Sequence, residues 1–150
     1  MKKKNVARKV ASQTWGEVQH QLKLADGIWL FDTARHGGIV TDFLKRPETS
    51  FNPVFVYTRA GRTDGNLGEQ HYAVFEEDCE ANMVEWLYAS EIMTQRYMKR
   101  FLPNSSITLE TWKKQRLELI EGSLKFWYPK FLKQYPVPDM GTYTPNATMF

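Results

Sequence analysis

EVQHQLKLADGIWLFDT, residues 17–33, decides the kind of fold. Glu17, Gln19, Gln21 and Lys23 alternate with Val18, His20, Leu22 and Leu24. That two-residue period belongs to a strand with one buried face, and it places His20 among the apolar side chains as a core histidine. Asp26-Gly27 is a hairpin-turn pair. IWLFDT (28–33) is then the returning strand. Downstream, PVFVYT (53–58) and HYAVFEE (71–77) read as two more strands, joined by the Gly-, Asp- and Asn-rich stretch 59–70. No connection is long enough for a helical crossover, so the strands form an antiparallel meander. Between the two hairpins, Thr41 or Asp42 offers an N-cap for one short helical turn that stops before Pro47.

Helices follow the strands. From Asp78, the residues Cys79, Met83, Trp86, Leu87, Ser90, Met93, Tyr97 and Phe101 recur at three- and four-residue spacing until Leu102-Pro103-Asn104. Glu76, Glu77, Asp78 and Glu80 crowd the positive end of that helix dipole. Thr108 caps a second helix, whose apolar face is Leu109, Trp112, Ile120, Leu124, Trp127 and Phe131. Gly122 inside it costs about 1 kcal/mol relative to alanine, and Pro129 kinks or ends it. The reading is an α+β fold: a small antiparallel sheet of about four strands, then two longer helices packed on one face. Residues 1–13 form a basic flexible arm, 14–134 a single α+β domain and 135–150 an extended tail.

Composition bounds the function. The 150 residues are 42% hydrophobic and 25% charged, as in an ordinary globular domain. Cys79 is the single cysteine, which excludes an intrachain disulfide and a cysteine-built zinc site. The basic start lacks the apolar core of a secretion signal, and no apolar run is long enough to cross a bilayer, so the expected location is cytoplasmic, away from membranes. The net charge of +3 hides a segregation. Residues 62–91 carry eight acids against one arginine, a net of −7, while 92–134 carry nine Lys/Arg against three acids, a net of +6.

Two motifs carry candidate chemistry. In DTARHGGIV (32–40), His36 precedes Gly37-Gly38, where backbone can approach a ligand closely and amides can point at an anion. His36 suits a general base, a metal ligand or a hydrogen-bonded turn histidine. In FEEDCE (75–80), Glu77 or Asp78 can join His36 to hold a divalent metal or activate a water, or Asp78 can simply cap the helix while His36 ties the turn to it. The Gly-x-Ser-x-Gly elbow of esterases and the phosphate-binding loop are both absent.

These residues carry a resemblance. Trp15-Gly16, Gly27-Ile28, Thr33, His36-Gly37-Gly38-Ile39 and Glu76-Glu77-Asp78-Cys79 resemble the signature of an uncharacterised domain of phage, plasmid and other mobile-element proteins, domain of unknown function 7007, over residues 14–90. The resemblance implies a shared site for the His-Gly-Gly and Glu-Glu-Asp motifs and supplies no activity. The chain departs from the pattern in a longer segment before the acidic stretch, and in EWLYASEI (85–92) where the family has an aromatic-proline end.

With no complete catalytic signature, a binding protein is favoured over an enzyme: a small mobile-element accessory protein contacting a host protein or nucleic acid, one version being an inhibitor of a host defence system. Basic residues would neutralise phosphates and interleaved aromatics (Trp112, Trp127, Tyr128, Tyr135) could stack on bases, although Trp112 and Trp127 share the helix's apolar stripe and are expected in its core. The candidate binding residues are Thr33, Gly37, Gly38, Lys2, Lys3, Lys4, Arg96, Lys99 and Arg100. The alternative is a metal-dependent hydrolase-like enzyme with His36, Glu77 and Asp78 as catalytic residues. No particular metal or cofactor is assigned. Both site readings require His36 and the carboxylates that open the first long helix to be neighbours.

Overall fold

In the computed structural model, which describes residues 3–51, 72–77, 79–141 and 143–145, the first hairpin forms where the alternation places it. β1 (His20–Ala25) pairs antiparallel with β2 (Ile28–Asp32), and Gly27 takes the positive φ of 80° that the turn needs. The chain divides into two compact units, Met1–Ala81 and Asn82–Phe150, described in turn.

The third strand comes directly from the glycine pair. β3 (Gly37–Asp42) pairs with β2 on one side and with β4 (Tyr72–Glu76) on the other, giving a four-stranded antiparallel sheet in the order β1-β2-β3-β4. The helical turn expected from Thr41 or Asp42 is therefore strand, because the β-branched run Ile39-Val40-Thr41 suits a pleated, fully buried position. Asp42 still organises a turn: its carboxylate accepts the Leu44 amide at 3.1 Å, and its carbonyl accepts those of Lys45 and Arg46. A short 3-10 turn, Pro47–Phe51, follows. The strand expected at 53–58 and the stretch 59–70 lie outside the described residues.

Residues read from sequence as a mobile basic arm instead form helix α1 (Lys3–Trp15), which lies against β2, β3 and β4. The reason is a stripe hidden among lysines. Val6, Ala7, Val10 and Ala11 recur one and four residues apart and are all buried, and each buried valine contributes about 2 kcal/mol. Gly16 ends the helix with a φ of 107°, a conformation open to glycine. Arg8 donates to the Gln21 side chain and the Val18 carbonyl, fixing α1 to the strand entry. His20, expected in the core, is exposed at the start of the edge strand β1.

In the second unit the first expected helix is three: α2 (Ala81–Leu87), α3 (Ala89–Ile92) and α4 (Gln95–Phe101). The first break has a non-local cause. In a continuous helix the Ser90 amide would donate to the Trp86 carbonyl. Here it donates to the Asp139 carbonyl at 2.8 Å, while the Asp139 amide donates to Trp86 at 3.1 Å, so the tail inserts into the helical ladder. Thr94 then caps α4 by accepting the Tyr97 amide. α5 (Leu109–Trp127) starts at the expected cap Thr108, and Pro129 opens α6 (Pro129–Gln134).

Trp112, Leu117, Ile120 and Leu124 form the buried face of α5, and Trp112 meets Tyr97 and Phe101 ring to ring. Buried Glu85 takes Arg116 in a two-pronged pair at 2.9 and 2.8 Å, with the guanidinium over the Phe101 ring. Residues past α6 lie along their own unit: the Trp86 indole donates to the Tyr135 carbonyl, and the Tyr143 hydroxyl donates to buried Glu121. Burial and the Glu121 carboxylate both push the Tyr143 phenol well above its ordinary range. Among the described residues no helix is long and apolar enough to cross a membrane.

Candidate functional site

Trp15, Thr33, His36, Gly38 and Glu76, from the end of α1, the β2–β3 loop, β3 and β4, meet at one end of the sheet. Thr33 shapes the loop. Its hydroxyl accepts the amides of Arg35 (3.3 Å) and His36 (3.1 Å), donates to the His36 carbonyl and has the Trp15 carbonyl 3.3 Å away. The Thr33 amide also donates to the His36 carbonyl at 3.0 Å. One threonine thus closes the hairpin and joins it to the end of α1.

The glycine pair is required by close approach. A Cβ on Gly38 would fall inside contact distance of the Phe75 carbonyl oxygen and 2.9 Å from two carbons of the Trp15 indole. One on Gly37 would collide with the Phe31 carbonyl. Strand pairing along both edges of β3 directs this backbone at β2 and β4, and no helix start follows to supply the anion cradle read from sequence.

His36 meets a carboxylate at this corner, and it is Glu76. Its Nδ1 lies 3.4 Å from Glu76 Oε1, with the two side chains 62% and 48% exposed. The register that sets Gly38 opposite Glu76 makes the encounter, and the Glu77 amide donates to the Gly37 carbonyl at 2.9 Å. A polar contact this open is worth at most about 1 kcal/mol. The Glu77 side chain is half-buried, and Asp78 lies outside the described residues.

Glu80 adds a carboxyl held above its ordinary range by burial, with the Glu76 charge acting the same way. Its Oε2 is buried without a hydrogen-bond partner. Among the described residues no group of three His, Cys, Asp or Glu side chains could hold a metal ion. The chemistry of the corner is that of an open imidazole–carboxylate pair tying the loop to β4. Strand alternation through Phe75 and Glu76 was the signal for Glu76, overlooked because the acids were read as the helix start.

The candidate cations are distributed over both units. Lys2 lies outside the described residues, Lys3 and Lys4 open α1, and Arg96, Lys99 and Arg100 stand exposed on α4. Sequence reasoning missed a surface at the end of α5. Trp112 is buried as expected, but Trp127 is 60% exposed and Phe126 74%. Their rings meet edge to face at 4.7 Å. Both lie in the last turn of α5, which ends at the Tyr128 cap; after Pro129 it is Phe131 and Leu132 that enter the core.

A family model described as "Domain of unknown function (DUF7007)" matches residues 8–135. The match runs through α6, well beyond the 14–90 carried by the motifs, and includes the basic C-terminal helices. Comparison with curated proteins and with solved structures returns no match.

Proposed function

The chain belongs to the DUF7007 family, and from that premise we propose that it is a small accessory binding protein of a mobile element, with its partner docking on the second unit while the His36 corner serves as scaffold. The observation that supports the reading most is the outward-facing Phe126–Trp127 pair. An adjacent exposed aromatic pair costs solvation unless something covers it. The cations Arg96, Lys99 and Arg100 on α4 add a field that steers an anionic partner. A partner that is part of a host defence system is one version of this reading.

For the hydrolase alternative, the described residues offer the single pair His36–Glu76 on an open surface, with Thr33 and the glycines engaged in packing and loop closure. The test is affinity capture from host lysate, with and without nuclease, using wild type, His36→Ala and Trp127→Ala. Loss of a partner with Trp127→Ala and retention with His36→Ala supports the reading. A clean capture in every arm, together with no salt-sensitive mobility shift, overturns it.

A further inference from the structure

The stretch around Trp127 has a chemistry narrower than "binding surface". Residues 122–138 contain three lysines and no acid, together with five aromatic residues. The structure sorts them. Phe131 is buried, Tyr128 and Tyr135 are half-buried, and Phe126 and Trp127 stand out. Lys125 is committed to buried Glu121 at 2.8 Å. Lys130 and Lys133 are exposed on α6, without a carboxylate partner among the described residues. Three residues of chain put Lys130 within about 11 Å of Trp127. Two open rings therefore share one short stretch of chain with two uncommitted cations, Lys130 three residues and Lys133 six residues beyond Trp127.

We infer that this surface binds single-stranded nucleic acid, bases stacking on Trp127 and Phe126 and phosphates meeting Lys130 and Lys133; this rests on the binding-protein reading above. Three alternatives fit less well. A second copy meeting the same patch about a twofold axis would set lysines against lysines. An acidic polypeptide would use the cations and leave the rings without a π partner. A duplex keeps its bases stacked on each other, so only its phosphates could engage. An unpaired strand uses both features, since every base has a face to stack and every linkage a charge. Leu119, 70% exposed on the same outward side of α5 as Phe126, extends the apolar floor.

The test uses the full chain and fluorescence titration with fifteen-residue oligothymidylate and oligouridylate, a DNA duplex of equal length, and polyglutamate. Both single strands are expected to bind and to quench tryptophan emission, and a difference between them assigns DNA or RNA as the source. Trp127→Ala weakens binding about tenfold, within the range for loss of one stacked base, whereas Trp127→Phe stays within about threefold. Lys130→Gln with Lys133→Gln lowers the slope of log K against log salt by about 1.4. Circular dichroism of the variants should match wild type, because every substituted side chain is exposed.

Absence of strand binding at low salt overturns the inference. So does equal binding of duplex or polyglutamate, an unchanged affinity in Trp127→Ala, or a dimer in sedimentation that the same substitution abolishes. A nuclease-resistant protein captured from lysate without oligonucleotide binding overturns this inference and leaves the broader binding reading standing. Neither partner nor oligonucleotide overturns both.

Discussion

Replacing Gly38 with alanine adds one methyl group where β3, β4 and the end of α1 converge. The new Cβ would sit 2.9 Å from Cζ2 and Cη2 of Trp15 and closer still to the Phe75 carbonyl oxygen. The indole could tilt away, but the carbonyl belongs to a strand paired with β3 over five residue pairs, so relief requires the two strands to separate locally. Overpacking costs typically about 1–3 kcal/mol, and a backbone obstacle places this case at the upper end, about 3 kcal/mol. At roughly 2–4 °C per kcal/mol for a chain of this size, the melting temperature falls by about 6–12 °C.

Denaturant unfolding followed by segment-resolved amide exchange is the assay, because the two units need not respond alike. Protection should drop in 37–42 and 72–76. Adding Trp15→Ala removes the indole from the collision but leaves the carbonyl, so the double variant remains destabilised. A Gly38→Ala protein within about 0.5 kcal/mol of wild type would refute the claim that close approach demands the glycine.

Three further outcomes follow from other positions. Gly122→Ala, on exposed helix with no atom within 4 Å of the new Cβ, should stabilise by about 1 kcal/mol, read as a higher denaturation midpoint. Arg116→Ala leaves the Glu85 carboxylate, 2% exposed, without its charge partner and should cost about 3 kcal/mol by denaturant titration; Glu85→Ala should cost less, since Arg116 is 19% exposed and can reach water. Glu80→Gln should raise the melting temperature at pH 7 and leave it unchanged at pH 4. The carboxyl's folded pKa lies above its ordinary value because of burial, so the folded state holds the proton more tightly and stability declines as pH rises through that range. A pH-independent effect of the substitution would contradict this assignment.

The hairpin of residues 17–33 and the helix from Thr108 were legible because their signals are local: a two-residue alternation around Asp-Gly, and a capping threonine before a helical stripe. β3 was misread since Thr41 and Asp42 resemble a cap when viewed alone, and only the strands on either side make them strand. α1 was obscured by its lysines, although Val6, Ala7, Val10 and Ala11 carry its buried stripe; without a sheet to cover, those small residues say little.

By itself the sequence determined an α+β chain with an antiparallel meander, because periodicity and turn chemistry act over a few residues. The tertiary structure decided which acid faces His36, since that depends on strand register. It decided why α2 and α3 are separate, since the interrupting hydrogen bonds come from Asp139, 49 residues beyond Ser90. It decided too that Trp127 faces outward while Trp112 is buried. Contacts between residues distant in the chain leave no periodic trace in it, so they become visible only once the elements have packed.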